Sequence, residues 1–397
     1  MIIRRLREDE NRKADILQAT AFNFSYNEEE QNDGLLREEA WGAFLDDGET
    51  LTSMMYPITY QSRYGKGYLP ALGIGGVATF PQYRRCGGIR AIFEKLLSMA
   101  PERGWAMSFL YPFSYDYYRK FGYERVLRRK EMGFDCAMLA GIPRNSDAVL
   151  YTDPSQLPDL LDVYERFSAG MNLIFRRPAD GGEYKRHYSP VPRKSMQYTY
   201  IWYDKSGKAQ SYATCKIKDE TLRVQELCYT SPEALLGILG FLRMYDGQVR
   251  RYRFTDLPEI TPLEFLMGNY WEVDYGLDSF AMGRVLLPDV LLNAYDYPAE
   301  NGIFTLAISD SIACSRGTFR VCYGGGSAQV QKLSGNPLFD ADLTVEMPAL
   351  SRILLGSESL TARTASYLPG IIIRNEAGAD AFLHAFQKRP GHIYTRF

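Results

Sequence analysis

Histidine is scarce in this sequence, with three in 397 residues, at 187, 384 and 392. None lies in the first 180 residues, so the N-terminal part offers no imidazole as a general base. Cysteine is almost as scarce: six residues, at 86, 136, 215, 228, 314 and 322, with no Cys-x-x-Cys among them. That pattern excludes a zinc ribbon and a disulfide framework, and no metal site is expected. No apolar run approaches the ~18 residues of a membrane helix. The opening Met-Ile-Ile-Arg-Arg-Leu-Arg-Glu-Asp-Glu lacks the apolar core of a signal peptide. A soluble, cytoplasmic protein without a membrane partner is the expectation. Neither sign of charge dominates, since 46 basic residues stand against 48 acidic ones for a net charge of −2. There is no electrostatic case for a nucleic-acid partner. Gly-x-x-x-x-Gly-Lys-Ser/Thr and Gly-x-Gly-x-x-Gly are both missing, which excludes a P-loop and a dinucleotide fingerprint.

What is present centres on residues 76–123. Gly76-Val77-Ala78-Thr79-Phe80 reads as the end of a buried strand. Arg84-Arg85-Cys86-Gly87-Gly88 then forms a basic, glycine-bearing turn. Ile89, Ile92, Phe93, Leu96 and Leu97 follow at helical spacing. The turn therefore sits at a helix N-terminus, where unpaired N–H groups and the helix dipole favour an anion. Glycines let the backbone approach such a ligand, and arginines add fork-shaped charged donors. This is the signature of a pyrophosphate cradle. Cys86, inside it, has no histidine nearby and reads as a turn residue rather than a nucleophile.

The order of elements is strand, helix, helix, strands, helix, strand, helix. Ile2–Leu6 is expected as a strand, Asp9–Phe22 as a helix, Glu38–Phe44 as a second helix, and Leu51–Tyr64 and Leu69–Phe80 as a meander. A second unit begins near Gly141–Ser155. Its strand Leu222–Cys228, its helix from Ser231-Pro232 to Leu242 and its strand Arg251–Phe254 repeat the strand–helix–strand order around the cradle. The repeat lacks the cradle, because Tyr229-Thr230-Ser231-Pro232 holds neither Arg nor Gly; an unrelated α+β domain is the alternative. From about Leu286 short strands alternate with Gly and Ser turns, followed by helices at Met347–Leu355 and Ala377–Ala385. The 29 Tyr and 21 Phe are core filler first, and pocket or interface lining second.

Arg84-Arg85-x-Gly after a strand, with Tyr118-Arg119-Lys120-Phe121-Gly122-Tyr123 after the next one, resembles the GNAT superfamily of N-acetyltransferases. Ile89 stands where that pattern has Gly or Ala. Over the whole chain the arrangement resembles the enhanced intracellular survival (Eis) family. The resemblance implies an α+β (mixed) fold of two tandem GNAT-like mixed-sheet domains followed by a sterol-carrier-protein-like domain. The expected boundaries are 1–140 for an active GNAT domain, 141–285 for a second one without a cofactor site, and 286–397 for the third. It further implies acetyl-CoA as co-substrate, held by Val77, Ala78, Thr79, Arg84, Arg85, Gly87, Gly88 and Ile89. Tyr118 would be the general acid, and the terminal carboxylate of Phe397 the general base. Phe22, Phe24 and Trp41 would border the pocket for a small-molecule or peptide amine, and the assembly would be a homo-hexamer. Aminoglycoside-acetylating members carry acidic residues where this chain has Phe24 and Arg396, which weakens the case for a polycationic acceptor; Glu28, Glu29 and Glu30 could supply acidity nearby. The rival reading is a protein that senses acetyl-CoA without turning it over.

Overall fold

The computed structural model describes residues 1–25, 39–179, 197–334, 341–356 and 360–395. From the N-terminus come β1 (Ile2–Arg5), α1 (Asn11–Phe22), β2 (Trp41–Phe44), β3 (Leu51–Tyr64), β4 (Gly67–Thr79), α2 (Gly88–Ser98), α3 (Ala100–Arg103), β5 (Met107–Leu110), α4 (Tyr115–Arg119) and β6 (Glu124–Asp135). The middle of the chain forms β7 (Ala148–Leu150), α5 (Leu157–Ser168), β8 (Tyr198–Tyr203), β9 (Ala209–Lys218), β10 (Thr221–Tyr229), α6 (Pro232–Leu242), β11 (Arg251–Pro258) and β12 (Asp274–Val285). The last part forms α7 (Pro288–Ala294), β13 (Gly302–Ser309), β14 (Gly317–Gly324), β15 (Ser327–Leu333), β16 (Leu343–Glu346), α8 (Met347–Leu355), α9 (Ala362–Ala365), β17 (Ile371–Ile373) and α10 (Glu376–Ala385). The fold is mixed α+β. No helix among the described residues is long and apolar enough to cross a membrane.

The expected helix before Phe44 is instead strand β2, paired with β1 on one side and β3 on the other; Glu38 lies outside the described residues. Trp41, Gly42, Ala43 and Phe44 are all buried. A four-residue run that is apolar on both faces has no period from which strand and helix can be told apart. Gly42 allows the close packing, since a Cβ there would meet Leu51, Leu6 and Phe44 side chains at 2.7–2.8 Å.

By contacts the chain divides into two units. The first combines residues 1–127, 280–389 and 395–397; the second combines 128–279 and 390–394. In the first unit β1 to β5 lie in sequence order, and Met282–Val285 at the end of β12 pair with β5. Neighbours are antiparallel except β4 and β5, which are parallel and joined through α2. Side chains alternate across the sheet. Trp41, Ala43, Met55, Leu72 and Ile74 meet Ile89, Ile92, Phe93, Leu96 and Leu97 of α2 on one face. Phe44, Leu51, Met54 and Tyr56 meet Ala14 and Leu17 of α1 on the other. The same unit holds a five-stranded sheet in the order β15-β14-β13-β16-β17, with Phe382 of α10 and Phe386 just after it packed on Phe304 of β13.

The second unit repeats the plan. β7 to β11 pair in the order β11-β10-β9-β8-β7, with the Arg129–Asp135 part of β6 outside β11. β10 and β11 are parallel and joined through α6. Leu235, Ile238, Leu239 and Leu242 of α6 cover Ala213, Val224 and Leu227. Leu160, Val163, Tyr164 and Phe167 of α5 cover the opposite face at Ile201, Tyr212 and Cys228. Ser231 accepts a hydrogen bond from Ala234 N at the start of α6, with Pro232 in the first turn, as its sequence predicts.

Candidate active site

The site begins where the β4–β5 ladder stops. Pairing covers Ala71–Ile74 against Met107–Leu110 and goes no further, so Gly75–Thr79 have no ladder partner on that side. On the β3 side the register jumps between Met54↔Ala78 and Tyr56↔Gly75, setting Gly76 and Val77 against Met55 alone. This is a β-bulge, which bends the strand and re-aims its groups. Gly76 makes it possible: its φ is +57°, and a Cβ would lie 2.4 Å from the Tyr56 ring. Gln18 of α1 donates to the Gly76 carbonyl at 2.7 Å. Val77, Ala78 and Thr79 follow on the strand, and Thr79 Oγ1 donates to Ser53 Oγ at 3.0 Å. Sequence reading assigned no role to Gly76; the Gly75-Gly76 pair inside a strand was the available signal.

After a turn at Pro81–Tyr83, Arg84 is extended, Arg85 is left-handed (φ +66°), and Gly87 is left-handed (φ +85°) as the N-cap of α2. Arg84, Arg85, Cys86 and Gly87 are exposed, whereas Gly88 and Ile89 are buried. The two glycines serve different needs. At Gly87 a Cβ would meet nothing within 4 Å, so its requirement is conformational; at Gly88 a Cβ would lie 2.6 Å from Ser53 Oγ and 3.3 Å from Ala43 Cβ. Gly88 thus lets the helix start close against β3 and β2. The helix has no acidic residue in its first turn and no side-chain cap. Its first N–H groups and two exposed guanidinium groups form a site for an anion. The Ile89 side chain belongs to the core, so only its backbone is available there. The Cys86 thiol points back to the Arg84 carbonyl, 3.7 Å away.

Tyr118 lies on α4, which Ser114 caps by accepting from Tyr117 N at 3.3 Å. Its ring is buried among Phe93 of α2, Phe113, Tyr117 and Tyr123. Burial, with smaller contributions from Tyr117 and Tyr123, pushes its ionisation well above the ordinary phenol range. Among the described residues its hydroxyl has no hydrogen-bond partner. Tyr123, by contrast, is tied to Ser108 Oγ at 2.7 Å and is pushed to about 12, mainly by burial. The turn after Tyr118 is fastened by Arg284 of β12, which donates to the Phe121 carbonyl and lies 2.5 Å from Asp310. Gly122 (φ +80°) leaves the space the guanidinium occupies. Phe93 and Arg90 of α2 both reach this segment, Arg90 Cζ lying 5.9 Å from the centre of the Phe121 ring. The structure therefore packs the cradle helix directly on the Tyr118 helix.

The three residues expected to line an acceptor pocket are not brought together. Phe22 and Phe24 are 54% and 47% exposed at the end of α1, where Asn23 turns left-handed. Trp41 is 7% exposed and belongs to the α2 face of the sheet, opposite α1. Glu28, Glu29, Glu30, Arg396 and Phe397 lie outside the described residues. Thr395 is buried, and its carbonyl accepts a hydrogen bond from the Tyr111 hydroxyl, one residue beyond β5. Thr395 thus lies beside the end of β5.

Residues 2–126 match a family model described as an acetyltransferase (GNAT) domain, and residues 175–285 match a second model with the same description. No curated protein matches the chain. Among solved structures, a probable N-acyltransferase of unknown function from Enterococcus faecalis V583 is similar at 23% identity and a TM-score of 0.84, with 99% of each chain covered. A GCN5-related N-acetyltransferase from Anabaena variabilis is similar at 17% identity and 0.85, with 100% of both chains covered. Eis1 from Mycobacterium abscessus is similar at 19% identity and 0.81, again over 100% of both. Two acetyltransferase (GNAT) domains in one chain make this protein a GNAT acetyltransferase, and its fold is shared along its length with Eis1.

Proposed function

We propose that the N-terminal GNAT domain transfers acetyl directly from acetyl-CoA to an amine of a small molecule or peptide. The observation that carries this reading is the packing of an anion cradle and an unclaimed, neutral tyrosine hydroxyl on the same helix, α2. Arg84, Arg85 and the N–H groups of Gly87, Gly88 and Ile89 would hold the pyrophosphate. The strand Val77–Thr79, bent by the Gly76 bulge, would offer N–H to the thioester oxygen as negative charge develops there. The amine nitrogen attacks the carbonyl carbon, the carbon–sulfur bond breaks, and Tyr118 gives its proton to the departing thiolate. A free thiol has a pKa of about 8.5, and a phenol held above its usual 10 stays protonated until the sulfur needs it. The proton lost by the amine would pass to the carboxylate of Phe397, a reading supported by the contact between Thr395 and Tyr111 two residues before it.

Arg396, next to the terminal residue in sequence, weighs against a polycationic amine. The second GNAT domain would bind no coenzyme, since Thr230-Ser231 replaces the basic turn. The domain boundaries near 140 and 285, a sterol-carrier-like third domain, a cytoplasmic location and a homo-hexameric assembly complete the proposal. Sedimentation of the purified chain tests the assembly. The function is tested by coenzyme A release from acetyl-CoA with a panel of amines, alongside calorimetric titration of acetyl-CoA. Tight binding with an intact thioester for every amine would replace the enzyme reading with the sensor.

A further inference from the structure

In the second GNAT unit the parallel ladder between β10 and β11 is four pairs long, Thr221–Val224 against Arg251–Phe254. It matches the four-pair ladder of β4 and β5 in the first. A register shift follows at once in both cases, here between Val224 and Glu226 against β9. The second unit thus preserves the opening beyond the ladder that the first uses for its reaction, although it lacks the basic turn.

That opening is filled by the chain itself. His392 and Ile393 are 0% exposed and Tyr394 is 6% exposed. The Tyr394 hydroxyl donates to the Leu227 carbonyl of β10 at 3.1 Å. His392 Nε2 lies 3.2 Å from Asp256 Oδ1 on β11. The two rings stand edge to face, 4.4 Å apart. Behind them, Asn172 N donates to the Pro390 carbonyl at 2.7 Å, and Asn172 forms a parallel bridge with Gly391. The segment touches both strands past the point where they stop pairing.

We infer that the vacant cofactor cleft of the second GNAT unit has become an internal peptide seat, which grips Gly391–Tyr394 and so aims the residues that follow. Asp256, His392 and Tyr394 are positioning residues. They touch neither acetyl donor nor acceptor, and they act through the carboxylate that the proposed mechanism assigns to Phe397, on which this inference rests. A tail with freely rotating backbone would spread that carboxylate over many positions.

The test uses the full-length chain and two variants, Tyr394→Phe and Asp256→Asn. Hydrogen–deuterium exchange of the peptide covering residues 391–395 reads the seat directly, with the amides of Leu222–Val224 as the control for folding. Tyr394→Phe should speed exchange of the tail by roughly tenfold, the scale of its one lost hydrogen bond, and Asp256→Asn, which removes the carboxylate facing His392, should speed it in the same direction, with the control unchanged. Turnover should fall by a similar factor while the Kd for acetyl-CoA stays within about twofold. Tail exchange equal to wild type in both variants overturns the seat. Faster exchange with unaltered kcat overturns the positioning role, and with it the base assigned to this tail, while the cradle and Tyr118 stand. If the wild type turns over no amine at all, the mechanism fails but the exchange result still decides the seat.

Discussion

Gly88→Ala is the sharpest single perturbation of the cradle. The added methyl would lie 2.6 Å from Ser53 Oγ, 3.1 Å from Ser53 Cβ and 3.3 Å from Ala43 Cβ. Neither neighbour can give way easily. Ser53 is 1% exposed, with its hydroxyl bonded to Thr79, and Ala43 is fully buried in β2. Non-bonded heavy atoms rest at about 3.5–4.0 Å, so the start of α2 must lift by roughly 1 Å. Overpacking of this kind costs about 1–3 kcal/mol of stability. The larger effect is on binding, because the N–H groups that face the anion move with the helix. Charge-assisted hydrogen bonds contribute roughly 1.5–3 kcal/mol each, and stretching two of them should weaken acetyl-CoA by about 10²-fold or more. Calorimetric titration measures it. Ser53→Gly added to Gly88→Ala should recover most of the affinity by restoring the space. Gly87→Ala, with open space around it but a left-handed backbone, should cost about 1–2 kcal/mol of stability and little affinity. Wild-type binding by Gly88→Ala, or no recovery in the double variant, would refute the argument that this glycine sets the cradle against β3.

Three further outcomes are expected. Arg84→Ala and Arg85→Gly, the latter retaining the left-handed backbone, should each weaken acetyl-CoA by roughly tenfold to a hundredfold with an unchanged melting temperature; unaltered titrations place the pyrophosphate elsewhere. Tyr118→Phe should lower kcat by about 10²-fold or more with coenzyme affinity intact, whereas Tyr117→Phe should be mild, and the reverse order would move the acid by one residue. Glu10, buried and bonded to both Arg4 nitrogens and to Arg7 N, is held at about 2 rather than 4.5, chiefly by Arg4. Its folded pKa is depressed, so its stabilisation is present above pH ~4.5 and lost as pH falls toward ~2, on the order of 2–3 kcal/mol. Denaturant titrations at stepped pH should show that difference from Glu10→Gln at neutral pH and its disappearance near pH 2; parallel curves for both proteins would remove Glu10 from the acid response.

Local chemistry made much of this fold legible. The helix starting at Ser231-Pro232, the strands β13, β14 and β15 of the last sheet and the basic turn before α2 all announce themselves within a few residues, through capping, alternation and glycine placement, whereas the short β16 and β17 do not. β2 did not, because Trp-Gly-Ala-Phe is apolar on both faces. The Gly76 bulge was hidden because its need arises from Tyr56 and Gln18, on two other elements. Trp41 was assigned to the acceptor side because the face of a residue depends on the type of element that carries it. The seat for Gly391–Tyr394 was least visible of all. Its contact from Tyr394 to Leu227 spans 167 residues, and no spacing in the sequence encodes it.

The strand that completes the first sheet has a consequence for biosynthesis. β5 is fully buried, and its outer edge is covered by Met282–Val285, about 170 residues later in the chain. At roughly 5–20 residues per second, a ribosome needs on the order of ten seconds or more to supply that cover. During this interval the nascent chain holds a short, apolar sheet edge with open backbone groups, the kind of surface that invites pairing with a neighbouring chain. Arg284 arrives on the same late strand, so the turn after Tyr118 cannot be fastened until then either. A fragment ending near residue 127 should therefore aggregate when expressed alone, and the unit that holds the basic turn and Tyr118 should mature only after the middle of the chain has been made.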